Sequence, residues 1–470
     1  MLFSIVLTYL AGGSILILSK QSKHLNIFEI LGLGFGIGLS LFVMESIFST
    51  ILFKHITILI PAITSLLLVG FVLWGRKKGD TPPLLSDWKK TGEKILHDIK
   101  IYGTWRKIGV FFFLVMVLFK IALSFMTNLS HPTLGEDAVT GWDLKTKVFF
   151  ENKSIVLDKQ DPENLGGEYK RSIFAPLIDL YFLLPYDELP DGYTNIISSL
   201  IYLNTALLLF GIFLRKYDSF IASMAAYIWV SLPIIFIHSI DAYFNLVSGY
   251  FLFSFAFYIS DQVILKKERN LLILFPLGIL VFLDSSIRSE SLLLVSTLLV
   301  IDFIFLFLAK AVNKKNSISF LPILVGISLS WAVNKYLHSF SPKENIMTDG
   351  FDIFSVKSLS SFFEHISNSK TLMAPLEQSL YHPDYNLLYL IFLGSLIFIF
   401  IKRFYLKEFS TMLVKTFALY AIFLAILYIE PAFGLEDAFG FIRYSMALIP
   451  FALFFPVSVA GELYRKKFQD

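Results

Sequence analysis

Three acids, Glu136, Asp137 and Asp143, fall within eight residues of the stretch HPTLGEDAVTGWDLKTKVFFENKSIV, and Lys145 and Lys147 follow at once. Carboxylates this close together can take a proton from a hydroxyl or ligate a hard cation through oxygen. Cations beside them suit an anionic group such as a phosphate. The cluster lies in a polar stretch from Asn128 to about Thr194, with hydrophobic segments on both sides. Ionisable groups at the mouth of a membrane bundle are costly unless they bind or react with something, so function is sought here first.

The elements that must position these residues are membrane helices. Hydrophobic residues make up 56% of the 470, mean hydropathy is +0.68, and charged residues make up 16%, against roughly 25% in a soluble domain. The charges sit in short clusters between apolar runs, which gives an all-α, polytopic membrane protein. The net charge of +3 is spread between those runs and forms no nucleic-acid patch. Cysteine is absent, which excludes disulfides, thiol catalysis and thiolate metal sites. Lys20 and Lys23 follow the first apolar segment without a small-residue cleavage signature, so that segment reads as a retained helix.

A crossing helix needs about 20 mostly apolar residues. Segments near 2–19, 27–48, 56–74, 109–127, 195–214, 219–237, 243–264, 270–284, 291–309, 318–337, 385–403, 411–430 and 442–463 qualify, an expected total of about 13 spans. The connections on one side hold 25 of the 40 lysines and arginines, which makes that side cytoplasmic. The organisation expected is additional N-terminal spans and a basic amphipathic connection over 1–108, a core over 109–337 containing the outer loop 128–194, an outer loop over 338–384, and C-terminal spans over 385–470. The basic half of 75–108 reads as a surface helix on the anionic inner leaflet.

This orientation, set by Lys and Arg alone, brings other ionisable residues to the same outer side. They are Asp241, the Arg288–Glu290 pair, Glu430, Glu436, Asp437 and Arg443, which precedes Tyr444. Each also has a plain reading. The loop acids can be solvated, Lys145 and Lys147 can snorkel, Arg288 and Glu290 can be a structural ion pair, and Arg443 with Tyr444 can be an interface anchor. Together they suggest a single outward-facing site. The histidines lack HExxH spacing, and no Walker loop, GxSxG elbow or dinucleotide fingerprint is present.

At these residues the chain resembles the GT-C superfamily of integral-membrane glycosyltransferases, over residues 128 to 463 and in the family's order. EDAVTGWDLKTKVFFENKSIV is similar to the acidic first outer loop with its W-D, K-x-K helix. YKRSIFAPLIDLYFLLPYDELPDGY is similar to the juxtamembrane helix that follows, with Ala175–Pro176–Leu177 where Pro-Pro-Leu is common. HSIDAYFNLVSGYFLF is similar to an aromatic–Asp segment, and SSIRSESLLL with FIRYSMALIPF to an R-x-E hairpin and an R-Y span opening. The Asp-Glu dyad of aminoarabinose and protein mannosyl transferases is replaced here by Glu136–Asp137 plus Asp143.

The resemblance implies transfer of a sugar from a polyprenyl-phosphate donor to a hydroxyl of a lipid, glycan or protein at the non-cytoplasmic face of the plasma membrane. Asp143 is the first candidate for the base, then Asp137, then Glu136. Arg443 and Arg288 would stabilise the leaving phosphate, and Lys145, Lys147, Asp241, Glu290 and Tyr444 would line the substrate site. Glu136, Asp137 and Asp241 could hold Mg²⁺ or Mn²⁺. The loop 338–384 would cover the site or select the acceptor. Other readings are a secondary transporter, an oligosaccharide polymerase or ligase with a diphosphate lipid donor, and a non-catalytic scaffold.

Overall fold

The computed structural model describes residues 1–77, 84–131, 142–156, 172–190, 195–241, 243–261, 271–288, 290–308, 318–338, 356–368, 373, 375, 377–380, 382–402, 407–429 and 445–468. Among them regular structure is helical, with no strand. Each apolar segment expected to cross the membrane carries a helix. Seven described helices are long and apolar enough to cross, or eight if one bent pair counts as a single span.

The first three helices are α1 (Leu2–Leu18), α2 (Ile27–Phe53) and α3 (Leu59–Lys77). Their packing relies on small residues, as expected where lipid tails remove the hydrophobic drive for helices to associate. A Cβ on Gly12 of α1 would stand 1.7 Å from the Gly34 carbonyl oxygen of α2, and one on Gly38 would stand 2.1 Å from the Thr8 carbonyl oxygen. Asn26 caps α2 by accepting from the Glu29 amide, and Glu29 accepts from the Asn26 amide in return. α2 is buried along most of its length. Gly32 faces Leu208 and Gly36 faces Tyr250, so this helix is part of the core.

α4 (Leu84–Ile101) lies in the chain between α3 and the long, mostly exposed α5 (Thr104–Ser130). Asp98 of α4 accepts from the Ser219 amide and hydroxyl at 3.0 and 2.8 Å, and the Lys94 ammonium donates to the carbonyls of Leu214 and Tyr217. The sequence places an amphipathic helix here, and these bonds fasten its polar groups to one end of the bundle.

Two short helices follow: α6 (Asp143–Asn152) and α7 (Phe174–Leu183). At 10 residues each they rise only about 15 Å and are too short to cross. Pro176 sits in the first turn of α7, where its missing N–H is no loss, and Pro185 follows the helix end. The remaining core helices are α8 (Ile196–Lys216), α9 (Ser219–Ser231), α10 (Pro233–Ser239), α11 (Asn245–Ile259), α12 (Leu271–Ile287), α13 (Ser291–Leu308) and α14 (Leu321–His338). α15 (Val356–Ser367) is amphipathic, and α16 (Leu388–Lys402), α17 (Lys407–Ile429) and α18 (Ile449–Phe468) complete the bundle.

One expected span differs. Residues 219–237 form two helices bent by 69°, not a straight rod. Pro233 has no N–H to continue α9 and holds Leu232 extended, at φ −67° and ψ 120°.

Hydrogen bonds sort the helix ends into two sets. Arg215, Glu29, Asp261, α4 and Glu462 share one end. The other end gathers α6, α7, the α10–α11 connection, the α12–α13 connection and the start of α18. This matches the alternation that the basic residues imply.

Candidate functional site

α6 and α7 pack against each other, and the Thr146 hydroxyl lies within reach of the Trp142 and Pro176 carbonyls. Asp143 stands in the first turn of α6, where the partial positive charge of a helix N-terminus favours a carboxylate. Asp179 lies three residues beyond Pro176, on the α7 face turned to α6. The two carboxylates come close enough to interact. Burial first, and then the charge of Asp143, pushes the Asp179 carboxyl well above the usual aspartate range. Neither Asp179 oxygen has a hydrogen-bond partner among the described residues. The α7 end is fixed by Tyr181, whose hydroxyl donates to the Ser4 carbonyl at 2.9 Å and whose ring stacks on Phe42 at 4.6 Å.

Contacts carry this pair to the other predicted residues. The Trp142 ring, next to Asp143, meets Phe244 at 5.4 Å. Asp241 precedes Phe244, and its carbonyl accepts from Ser198 at 2.9 Å. Asn128 donates to the neighbouring Ser239 carbonyl at 2.7 Å. On the far side of α7, Ser172 donates to the Ser286 carbonyl and Phe174 meets Phe282 at 5.6 Å. The α12–α13 connection therefore joins the same end, and Ser248 of α11 reaches Ser291 at 3.3 Å. There Arg288 Nε donates to Glu290 at 2.5 Å, with both side chains partly exposed. Lys145 is buried on α6 and Lys147 is exposed.

Glu136, Asp137, Arg443, Tyr444, Glu430, Glu436 and Asp437 lie outside the described residues. Ser445, next along from Tyr444, bonds to the Tyr385 hydroxyl, and Ala447 packs on Gly249 of α11. Among the described residues no group of three or more His, Asp or Glu is placed to hold a metal ion. Of the three acids expected to ligate Mg²⁺ or Mn²⁺, only Asp241 is described. The described residues therefore do not supply a ligand set, and no chemical step is drawn through a metal.

Three groups at this end escaped the sequence reading. They are Asp179, Asp284 of α12 and Asn245 of α11, all buried. Both Asp284 oxygens and the Asn245 amide nitrogen lack a hydrogen-bond partner among the described residues. The available signal was a lone polar residue in an apolar run, APLIDLYFLL and LVFLDSSI.

Two further charge clusters lie elsewhere. Arg215 binds Glu29 and Asp261 at the opposite end, at 2.9 and 3.2 Å. Lys415, expected inside a span, pairs with buried Asp302 at 2.7 Å and donates to Ser260 and the Ala256 carbonyl. No protein-family model matches the chain, and no curated protein or solved structure matches it.

Proposed function

We propose that the protein is a membrane glycosyltransferase of about 13 spans, in the plasma membrane. It moves a sugar from a polyprenyl-phosphate donor to an acceptor hydroxyl of a lipid, glycan or protein at the non-cytoplasmic face. The observation that carries this reading is the meeting of Asp143 with buried Asp179 at the bundle end that also holds Asp241 and the Arg288–Glu290 pair. Buried acids are expensive in a membrane protein and mark sites of binding or proton transfer.

In this reading Asp143 accepts the proton of the acceptor hydroxyl. Glu290 orients the Arg288 guanidinium toward the leaving phosphate, whose developing charge a fixed cation stabilises. Arg443 adds a second cation, and Lys145, Lys147 and Tyr444 complete the contacts to donor and acceptor. Apolar helix faces hold the isoprenoid tail. α15 lies against the end of α17 through His365 and Phe362 on Tyr428, which suits a cover for the site or a selector of acceptor.

One observation favours a second reading. The break between α9 and α10 resembles the discontinuous helices that line transporter sites. The experiment uses purified protein in liposomes, supplied with monophosphate- and diphosphate-linked polyprenyl sugars and, separately, with candidate solutes. Transfer from the monophosphate donor that falls at least about 100-fold in Asp143→Asn supports the proposal. Transfer from the diphosphate donor alone points to a polymerase or ligase, solute flux without transfer points to a transporter, and undiminished transfer by Asp143→Asn removes Asp143 as the base.

A further inference from the structure

Asp179 is wholly buried on a helix too short to span, with no hydrogen-bond partner among the described residues. A second group, independent of the acids, lies at the same end of the bundle. Asn245 begins α11 directly after Phe244, whose ring lies on Trp142, and Trp142 precedes Asp143. Asn245 is 2% exposed, and its side-chain NH₂ has no acceptor among the described residues. A buried amide left without an acceptor costs about 1–3 kcal/mol. An alcohol hydroxyl suits an acid pair beside such an amide, because its O–H donates to a carboxylate while its oxygen accepts from the amide.

We propose that Asp143 and Asp179 form one proton-sharing carboxylate pair which, with the Asn245 amide, holds the acceptor's hydroxyl group. The inference rests on the glycosyl-transfer reading above and assigns a subsite within it. In the reaction the hydroxyl proton passes to the ionised member of the pair, so that the pair as a whole goes from one proton to two. The freed oxygen bonds to the anomeric carbon, the carbon–oxygen bond to the phosphate breaks, and the phosphate leaves with that electron pair. Asp143 touches the hydroxyl. Asp179 acts through Asp143 and is a positioning residue.

Five helices pack against α7 and carry titratable or charged groups. α6 brings Asp143 and Lys145, α2 brings Glu45 by way of Tyr181, and α12 brings Asp284. α1 carries the Met1 amino group and Tyr9, and α8 carries Tyr202, with Arg215 and Lys216 at its far end. Of these, Asp143 is the group whose charge acts on Asp179.

The pair is tested without any donor, by infrared pH titration of the full chain in lipid nanodiscs. Asp179→Asn should remove protonated-carboxyl absorption that persists above the ordinary aspartate range. Asp143→Asn should move the midpoint of that absorption down by about one pH unit or more, because a like charge has gone. Asp143→Asn keeps the test intact should Asp179→Asn fail to fold. An unmoved midpoint, or no absorption lost above the ordinary aspartate range, overturns the pair. In the transfer assay Asn245→Ala should raise the acceptor KM about two- to tenfold and leave the donor KM alone; an unchanged acceptor KM overturns the hydroxyl assignment. A coupled titration with no transfer to any acceptor would keep the pair and overturn both the hydroxyl assignment and the glycosyl-transfer reading.

Discussion

Arg215→Met tests how the bundle is tied together. The guanidinium donates from Nε and Nη2 to the Glu29 carboxylate at 2.9 to 3.2 Å and from Nη1 to Asp261 at 3.2 Å. The Tyr258 hydroxyl also donates to Glu29, at 3.1 Å. The Glu29 side chain is completely buried, so methionine keeps the aliphatic stem and strips Glu29 of its countercharge. Removing one partner of a buried pair costs about 3–5 kcal/mol. An unfolding entropy of roughly 2.1 cal/mol/K per residue gives roughly 1 kcal/mol/K over 470 residues. The midpoint should fall on the order of 3–5 °C if the chain melts as a unit, and further if only part of it melts. The assay is thermal unfolding of the purified protein in detergent, followed by intrinsic fluorescence. Lys89→Met is the control, since its 3.8 Å pair with Glu93 is exposed on both sides and should contribute under about 1 kcal/mol. Equal midpoints for the two variants would refute the reasoning. Adding Glu29→Gln to Arg215→Met should recover part of the loss, because the uncompensated charge is gone while the Tyr258 bond keeps its acceptor.

Lys415→Met leaves Asp302 buried beside no cation and should lower the thermal midpoint by a similar margin. Replacing Asp302 by Leu in the same chain should recover more than half of that loss, since an apolar pair replaces a severed ionic one. The Asp179 carboxyl lies above its ordinary value when folded, so between about pH 4 and that raised value the folded chain keeps a proton that the unfolded chain has released. Stability should therefore fall as pH rises through this window, and Asp179→Asn should flatten the slope of thermal midpoint against pH. Gly12→Ala drives a methyl into the Gly34 backbone and should destabilise by more than about 1 kcal/mol. Gly13→Ala, with nothing within 4 Å, should be neutral or slightly stabilising through helix propensity, as thermal unfolding of both will show.

Much of the site's framework was legible. The polar stretch after Asn128 announced short helices, and the W-D, K-x-K run does form α6. The lysine and arginine counts implied which helix ends share a side, and the hydrogen bonds at Tyr217, Ser219 and Ser239 agree with that alternation. Asp179 was not legible as a site residue. Its importance comes from lying opposite Asp143 across the α6–α7 contact, and a single acid in an apolar run does not reveal its partner. Proline was present at position 233, yet an even hydropathy profile across it hid the 69° bend, because hydropathy records composition and not backbone donors.

The sequence by itself determined the class of this protein, where its apolar segments lie, and the alternation of their ends. Each depends on transfer of local stretches of chain from water to lipid, a quantity that sums residue by residue. Only the tertiary structure decided which charges meet. Arg215 finds Glu29 across 186 residues, Lys415 finds Asp302, and Asp143 finds Asp179, because helix rotation and close approach at small residues choose the facing pairs. In an apolar medium those pairings are strong enough to matter, and nothing in the linear spacing of the residues encodes them.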